Sequence, residues 1–303
     1  MDTLLRTARR GHPGLFWTGM AMVALTAGLL VLAVLDQREL LGAPLWFKPL
    51  KFAISFAFYL LALAWLLGRL PRPALRWTGW AIVAASVIEI VIIAGQAARG
   101  ERSHFNDDGG IGTALFGVMG AAAAGLMLLT AAVGVRFLRE RAEERDLASA
   151  IRFGLGLSLV GMVSGILMSV NGGHAVGVAD GGPGLPLLGW STTAGDLRVA
   201  HFVGLHAVQA MPLLVAVLAG WAPRLDLAAR LGIVRVVGTG YLGLVLLLTW
   251  QALRGQPLLA PDLVTLVTLG VLLAGTAVGL RAALRGRPAP AGTRVPATAG
   301  SLS

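Results

Sequence analysis

An aspartate, an arginine, two histidines and a glutamine crowd into Asp196–Pro212, DLRVAHFVGLHAVQAMP, at the head of an otherwise apolar run. Residues of these types are expensive inside a bilayer and mark a site where they occur there. The chemistry open to them is metal or haem ligation, proton transfer, or the binding of a polar ligand. Neutral imidazole is the commonest metal ligand, and carboxylate completes oxygen–nitrogen sites for transition metals. The candidate metal ligands are therefore His201, His206, His104, His174 and Glu89. His201, Gln209, Gln96 and Arg198 are the residues expected to hold a cofactor, the amides by orienting imidazoles. Catalytic work would fall to Glu89, His206 and Lys51. The cofactors this set could serve are a transition metal or haem b, with His206 and a histidine of another segment as axial ligands.

The spacing restrains that reading. No HExxH, HxxxH or CxxCH pattern is present, and the chain has no cysteine, so zincin, c-type haem and thiolate chemistry are not indicated. His201 and His206 are five residues apart, about 140° around a helix, which suits two different jobs better than one ion. No GxSxG elbow and no Gly-rich phosphate loop between strand and helix occurs.

Glu89 lies deep in SVIEIVIIAGQ, with Gln96 seven residues on and on the same helical face. Lys48 and Lys51 are the only lysines, and they share a face with Ser55 and Tyr59. They either line an interior space or snorkel to the interface. These placements describe a pocket whose floor is Glu89, His206 and Gln209 and whose rim is His201, His104, His174, Lys48 and Arg198.

The elements that must position this set are membrane helices. Of 303 residues, 56% are hydrophobic and 13% charged, and mean hydropathy is +0.77. A soluble domain of this size needs far more charge on its surface. Eight apolar runs, near 15–35, 47–68, 77–98, 112–135, 148–170, 199–221, 231–252 and 261–281, approach the length needed to span a bilayer. The expected fold is an all-α integral membrane bundle of about eight transmembrane helices. It would comprise a cytoplasmic segment over 1–14, the bundle over 15–286 and a disordered Pro/Gly/Ala-rich tail over 287–303.

The net charge of +10 is mostly arginine in alternate connections: Arg6, Arg9 and Arg10; Arg69, Arg72 and Arg76; Arg136 to Arg145; Arg224 and Arg230; Arg281 to Arg294. With eight spans these all fall on one side, so the positive-inside rule places both termini in the cytoplasm of a plasma (inner) membrane. That distribution removes nucleic acid as a reason for the basic charge. The expected partners are the lipid bilayer and a hydrophobic or small extracytoplasmic ligand. The connections opposite the arginines carry most of the histidines. RFLRERAEERD, over 136–146, is expected to extend the fourth span, and the Gly/Ala-rich fourth and fifth spans are expected to pack closely.

Three functions fit: a metal- or haem-dependent membrane enzyme or redox protein, a proton-coupled transporter or permease, or an extracytoplasmic ligand or metal sensor. The markedly apolar half of the bundle nearest the arginines counts against a complete transport path. The small size of the cytoplasmic segments counts against an autonomous receptor.

Overall fold

The computed structural model describes residues 2–70, 75–106, 109–140 and 144–285. Ten helices lie among them: α1 (Asp2–Gly11), α2 (Pro13–Leu35), α3 (Phe47–Leu67), α4 (Arg76–Ala98), α5 (Gly110–Arg139), α6 (Arg145–Asn171), α7 (Leu197–Leu205), α8 (Ala207–Trp221), α9 (Leu227–Leu253) and α10 (Leu263–Leu284). Seven of these are long and apolar enough to cross a membrane, and α7 with α8 forms an eighth if that pair, bent by 46°, counts as one span. Among the described residues the strands form two short antiparallel pairs, with an isolated bridge between Gly184 and Ser191. β1 (Glu39–Leu40) pairs with β2 (Ala43–Pro44), and β3 (Ala175–Val176) with β4 (Gly195–Asp196), all among the described residues. α5 runs to Arg139, four residues past the expected span. The tail expected to be disordered lies outside the described residues.

One helix was not expected. The arginines ahead of α2 sit on α1, whose Leu4, Leu5 and Ala8 fall on the opposite face. α1 is clamped backbone to backbone against the end of α3. A Cβ on Gly11 would lie 2.1 Å from the Ala64 carbonyl oxygen, and one on Gly68 2.6 Å from that of Thr7. His12 then caps α2. Its Nδ1 accepts the Leu15 N–H at 3.1 Å, which leaves the proton on Nε2 to be donated to the Arg76 carbonyl at 3.0 Å. One imidazole thus joins the starts of α2 and α4, and Pro13 at the first helical position loses no hydrogen bond.

The bundle is built of close helix pairs, α2 with α3, α6 with α7 and α8, and α9 with α10. Glycine makes two of these possible. Gly161 of α6 and Gly204 of α7 meet so closely that a Cβ on Gly204 would lie 2.5 Å from the Gly161 Cα. Along α9 and α10, Gly232, Gly240 and Gly243 receive Ala283, Thr276 and Leu272, and Gly279 receives Val236. Small residues in lipid permit this approach. The expectation of close packing through small residues holds for α6 but not for α5. Gly117, Gly120 and Gly125 have open space where a Cβ would go, because α5 buries the face of Met119, Leu126, Thr130, Val133 and Phe137 instead.

This contrast predicts opposite outcomes for one substitution. Gly204→Leu forces two backbones apart and should cost about 3 kcal/mol or more, since overpacking a tight contact costs roughly 1–3 kcal/mol even where side chains can yield. Gly117→Leu should change stability by less than about 0.5 kcal/mol. Thermal unfolding of both variants in detergent checks the pair.

Candidate functional site

α4 buries a face made by Gly79, Ile82, Ser86, Glu89, Ile93 and Gln96, a 3-4 spacing that keeps one side of a helix inward. Three of these residues are polar, and all three hold an oxygen with no hydrogen-bond partner among the described residues: Ser86 Oγ, Glu89 Oε1 and Gln96 Oε1. Glu89 is 3% exposed and lies nine residues before the end of α4, about 14 Å below it at 1.5 Å per residue. Gln96, nearer that end, donates its amide to the Arg102 carbonyl at 3.1 Å.

The charge that acts on Glu89 is Lys48, in the first turn of α3. Lys48 makes no hydrogen bond or ion pair with any described residue. Its electrostatic neighbours are Arg198, Lys51, Asp180 and Glu89, and it also acts on His104. A lysine and a glutamate within one another's field, on adjacent helices and without a hydrogen-bond partner among the described residues, are the centre of this site.

The connection between α4 and α5 brings His104 to it. The imidazole packs among Phe52, Phe105 and Phe116, with Nδ1 3.2 Å from Ser103 Oγ. Burial, reinforced by Lys48 and His201, holds its basicity well below that of an ordinary histidine, so it is a neutral ring at physiological pH.

The long connection between α6 and α7 folds into a cap whose anchors are carboxylates. Asp180 accepts the backbone N–H groups of His174 and Ala175. Asp196, with its side chain 1% exposed, accepts the Ser191 N–H at 2.8 Å and caps α7 by accepting the Arg198 N–H. It also takes a two-pronged bond from the Arg198 guanidinium at 2.9 and 2.6 Å. Burial alone raises the Asp196 carboxyl, but His174, Arg198 and the Ser191 amide outweigh it and leave the group well below the usual carboxylate range. Arg198 reaches on to the Gly189 carbonyl, and Lys51 donates to the Leu188 carbonyl at 2.9 Å. Arg198 and Lys51 are thereby occupied in holding the cap. His174 Nδ1 stands 3.3 Å from Asp180 Oδ1 and 3.6 Å from Asp196 Oδ2, between the two anchors.

α7 and α8 form a broken helix, its break nine residues from the start of α7 just as Glu89 lies nine residues from the end of α4. The break falls at His206, and the carbonyls it frees are taken up by neighbours. Ser158 of α6 donates to the Leu205 oxygen at 2.8 Å, and Tyr241 of α9 to the Val203 oxygen at 2.7 Å. The bend lies above Pro212, where Gly204 meets Gly161, rather than at the proline. The two histidines part company here. His201 places Nδ1 2.8 Å from the Gly161 carbonyl, so this nitrogen donates and Nε2 is left as the acceptor. His206 packs its ring against Phe202 and Phe58. Gln209 holds Oε1 buried and unpaired, in the wall of a cleft that opens toward the arginine-bearing end.

The candidate ligands therefore divide among different neighbourhoods. Lys48 and His201 both act on His104, and His206, at the break, acts in turn on His201, whereas His174 sits in the cap. Among the described residues, no three His, Asp or Glu side chains converge on a position that could hold a metal. Ser86, three residues before Glu89, was legible as a neighbour on its face. The carbonyl-capping roles of Ser158 and Tyr241 carry no sequence signal, because both side chains act on another helix. Compared with known protein families, curated proteins and solved structures, the chain matches none.

Proposed function

We propose that this is an eight-pass plasma-membrane protein, with both termini cytoplasmic, that carries a small oxyanion together with a proton. The observation that supports this most directly is the pair Lys48 and Glu89, both lacking a hydrogen-bond partner among the described residues and each within the other's field. Around Lys48 the cations Lys51 and Arg198 add positive potential, opposed by Asp180 and Glu89, and Arg198 is itself paired with Asp196. A small carboxylate- or phosphate-type anion would complete that environment. Glu89, taking up a proton as the anion binds, would keep the loaded site close to neutral in a low-dielectric surround.

The broken α7–α8 span also fits, since transporters place their sites at discontinuous helices. The extracytoplasmic face is assigned to the cap by the arginine distribution. A metal- or haem-dependent reaction is the weaker reading, because its expected ligands are dispersed.

The test is uptake by proteoliposomes of a panel of small monocarboxylates and inorganic phosphate under an imposed pH gradient. Uptake by the unaltered protein, with loss of at least about 90% in Glu89→Gln and Lys48→Met, is the expected result. Binding without flux would reassign the protein to sensing. No binding of any member of the panel would overturn the anion site.

A further inference from the structure

Lys48 and Phe52 lie one turn apart on α3 and so share a face. The Phe52 ring centre is 5.5 Å from that of His104, the imidazole on which Lys48 acts. His104 in turn lies 6.2 Å from Phe105 and 6.5 Å from Phe116, and those two phenyl rings are 5.6 Å apart. Phe52, Phe105 and Phe116 are half-buried, whereas Phe56, one turn further along α3, belongs to the core. We infer, on the basis of the anion site at Lys48 and Glu89, that its ligand is a monocarboxylate with an apolar body of about ring size. The carboxylate meets the ammonium, and the body lies against Phe52, Phe105 and Phe116.

Three segments distant in the chain build this wall. α3 supplies Phe52, the connection between α4 and α5 supplies His104 and Phe105, and α5 supplies Phe116. The rings meet at angles between 42° and 59°, tilted arrangements that bring edges toward faces. Phe105 adopts φ +53°, in the left-handed region that a bulky side chain rarely occupies. Strain of this kind collects at ligand clamps, and here it accompanies a ring packed against both His104 and Phe116.

The two ends of this environment satisfy different chemistry. Lys48 offers three donors and no acceptor, while the wall offers aromatic carbon and a neutral imidazole. Inorganic phosphate presents oxygens on every side, and those turned toward the rings would lose water without gaining donors. Acetate would engage Lys48 but leave the rings uncovered. A monocarboxylate with an apolar body gathers its oxygens at one end and covers the rings with the other.

The experiment is isothermal titration calorimetry of the full chain in detergent, titrated separately with acetate, cyclohexanecarboxylate, benzoate and inorganic phosphate. Benzoate and cyclohexanecarboxylate should bind about tenfold or more tighter than acetate, since each buried methylene-sized group gives about fourfold. Phosphate should bind more weakly than acetate. Lys48→Met should lose all three carboxylates, which separates the site from partition into detergent. Phe116→Ala should cut the benzoate-to-acetate ratio about fivefold or more, whereas Phe116→Leu, which keeps the wall apolar, should retain most of it. Equal affinities for acetate and benzoate, or phosphate binding tighter than benzoate, would overturn this ligand class while leaving the anion site in place. Benzoate binding that survives Lys48→Met, or a ratio unmoved by both Phe116→Ala and Phe52→Ala, would overturn it equally. Binding of none of the four would remove the anion site itself and the ligand class with it. If Phe116→Ala fails to fold, Phe52→Ala and the four-anion series on the unaltered protein still decide.

Discussion

Glu89→Leu is expected to make the protein more stable while removing its proton-coupled function. A carboxylate near mid-bilayer costs roughly 2.5–3.5 kcal/mol on insertion scales. A buried acceptor left without a partner costs about 1–3 kcal/mol. In the structure Glu89 is 3% exposed and Oε1 is unpaired, so nothing local offsets these terms except the field of Lys48. Leucine of similar volume between Ile82 and Ile93 on that face removes both, and loss of the Lys48 interaction returns part of the gain. A net stabilisation of about 1–3 kcal/mol follows, read as a higher midpoint of thermal unfolding in detergent. Glu89→Gln should gain less, because the amide brings donors of its own. The reverse outcome, a fall in the midpoint for both variants, would show that Glu89 supports the bundle through a structural hydrogen bond and would remove it from the site.

Asp196→Ala is expected to be the most damaging single change outside the helices. It strips the cap of α7, the acceptor for Ser191 and both prongs of the Arg198 pair. Breaking a buried ion pair by removing one member costs about 3–5 kcal/mol, since the other charge is left uncompensated. Limited proteolysis within 177–190 should accelerate along with a lower unfolding midpoint. Asp196→Asn should recover the helix cap through its one oxygen, but neither the Ser191 contact, which uses the other carboxylate oxygen, nor the charge.

The same residue sets an acid limit. Its carboxyl is depressed in the folded protein, so its contribution is fully present above the ordinary carboxylate value of about 4 and is lost as the pH falls below it. The cap should therefore hold at neutral pH and loosen only in strong acid. Unfolding midpoints that stay flat between about pH 5 and pH 3 would contradict this assignment.

Glu89 and Gln96 were readable on one face of α4 because that face repeats at helical spacing along a single helix, and the same spacing includes Ser86. Lys48 and Lys51 were readable as a pair on one face, yet they separate in the structure. Lys51 turns to the Leu188 carbonyl of the cap, while Lys48 remains without a partner beside Glu89, and Tyr59 on the same stripe bonds Thr130 of α5. Helical spacing states which residues share a face but not which neighbour each one meets. Sequence spacing places Arg198 and His174 on the pocket rim. Both are drawn into the cap by Asp196 and Asp180, a fold of the loop that glycine- and proline-rich sequence does not foretell. α1 carries no span signal, because ten residues with three arginines are too short and too polar to cross a membrane, and its stability comes from contact with α3.

Composition and hydrophobic periodicity by themselves determined that this chain is a helical membrane protein, where its long apolar helices run and which of their faces carry ionisable groups. Those properties depend on transfer energies and on backbone geometry within one segment, and both are local. The tertiary structure alone decided that His201 and His206 bond and pack against different neighbours, that the span containing them breaks beside the place where two glycines meet, and that Lys48 and Glu89, on neighbouring helices, are left without partners among the described residues. Among the described residues these outcomes depend on which helices touch and on which polar atoms find partners across them, and that information is shared among segments distant in the chain.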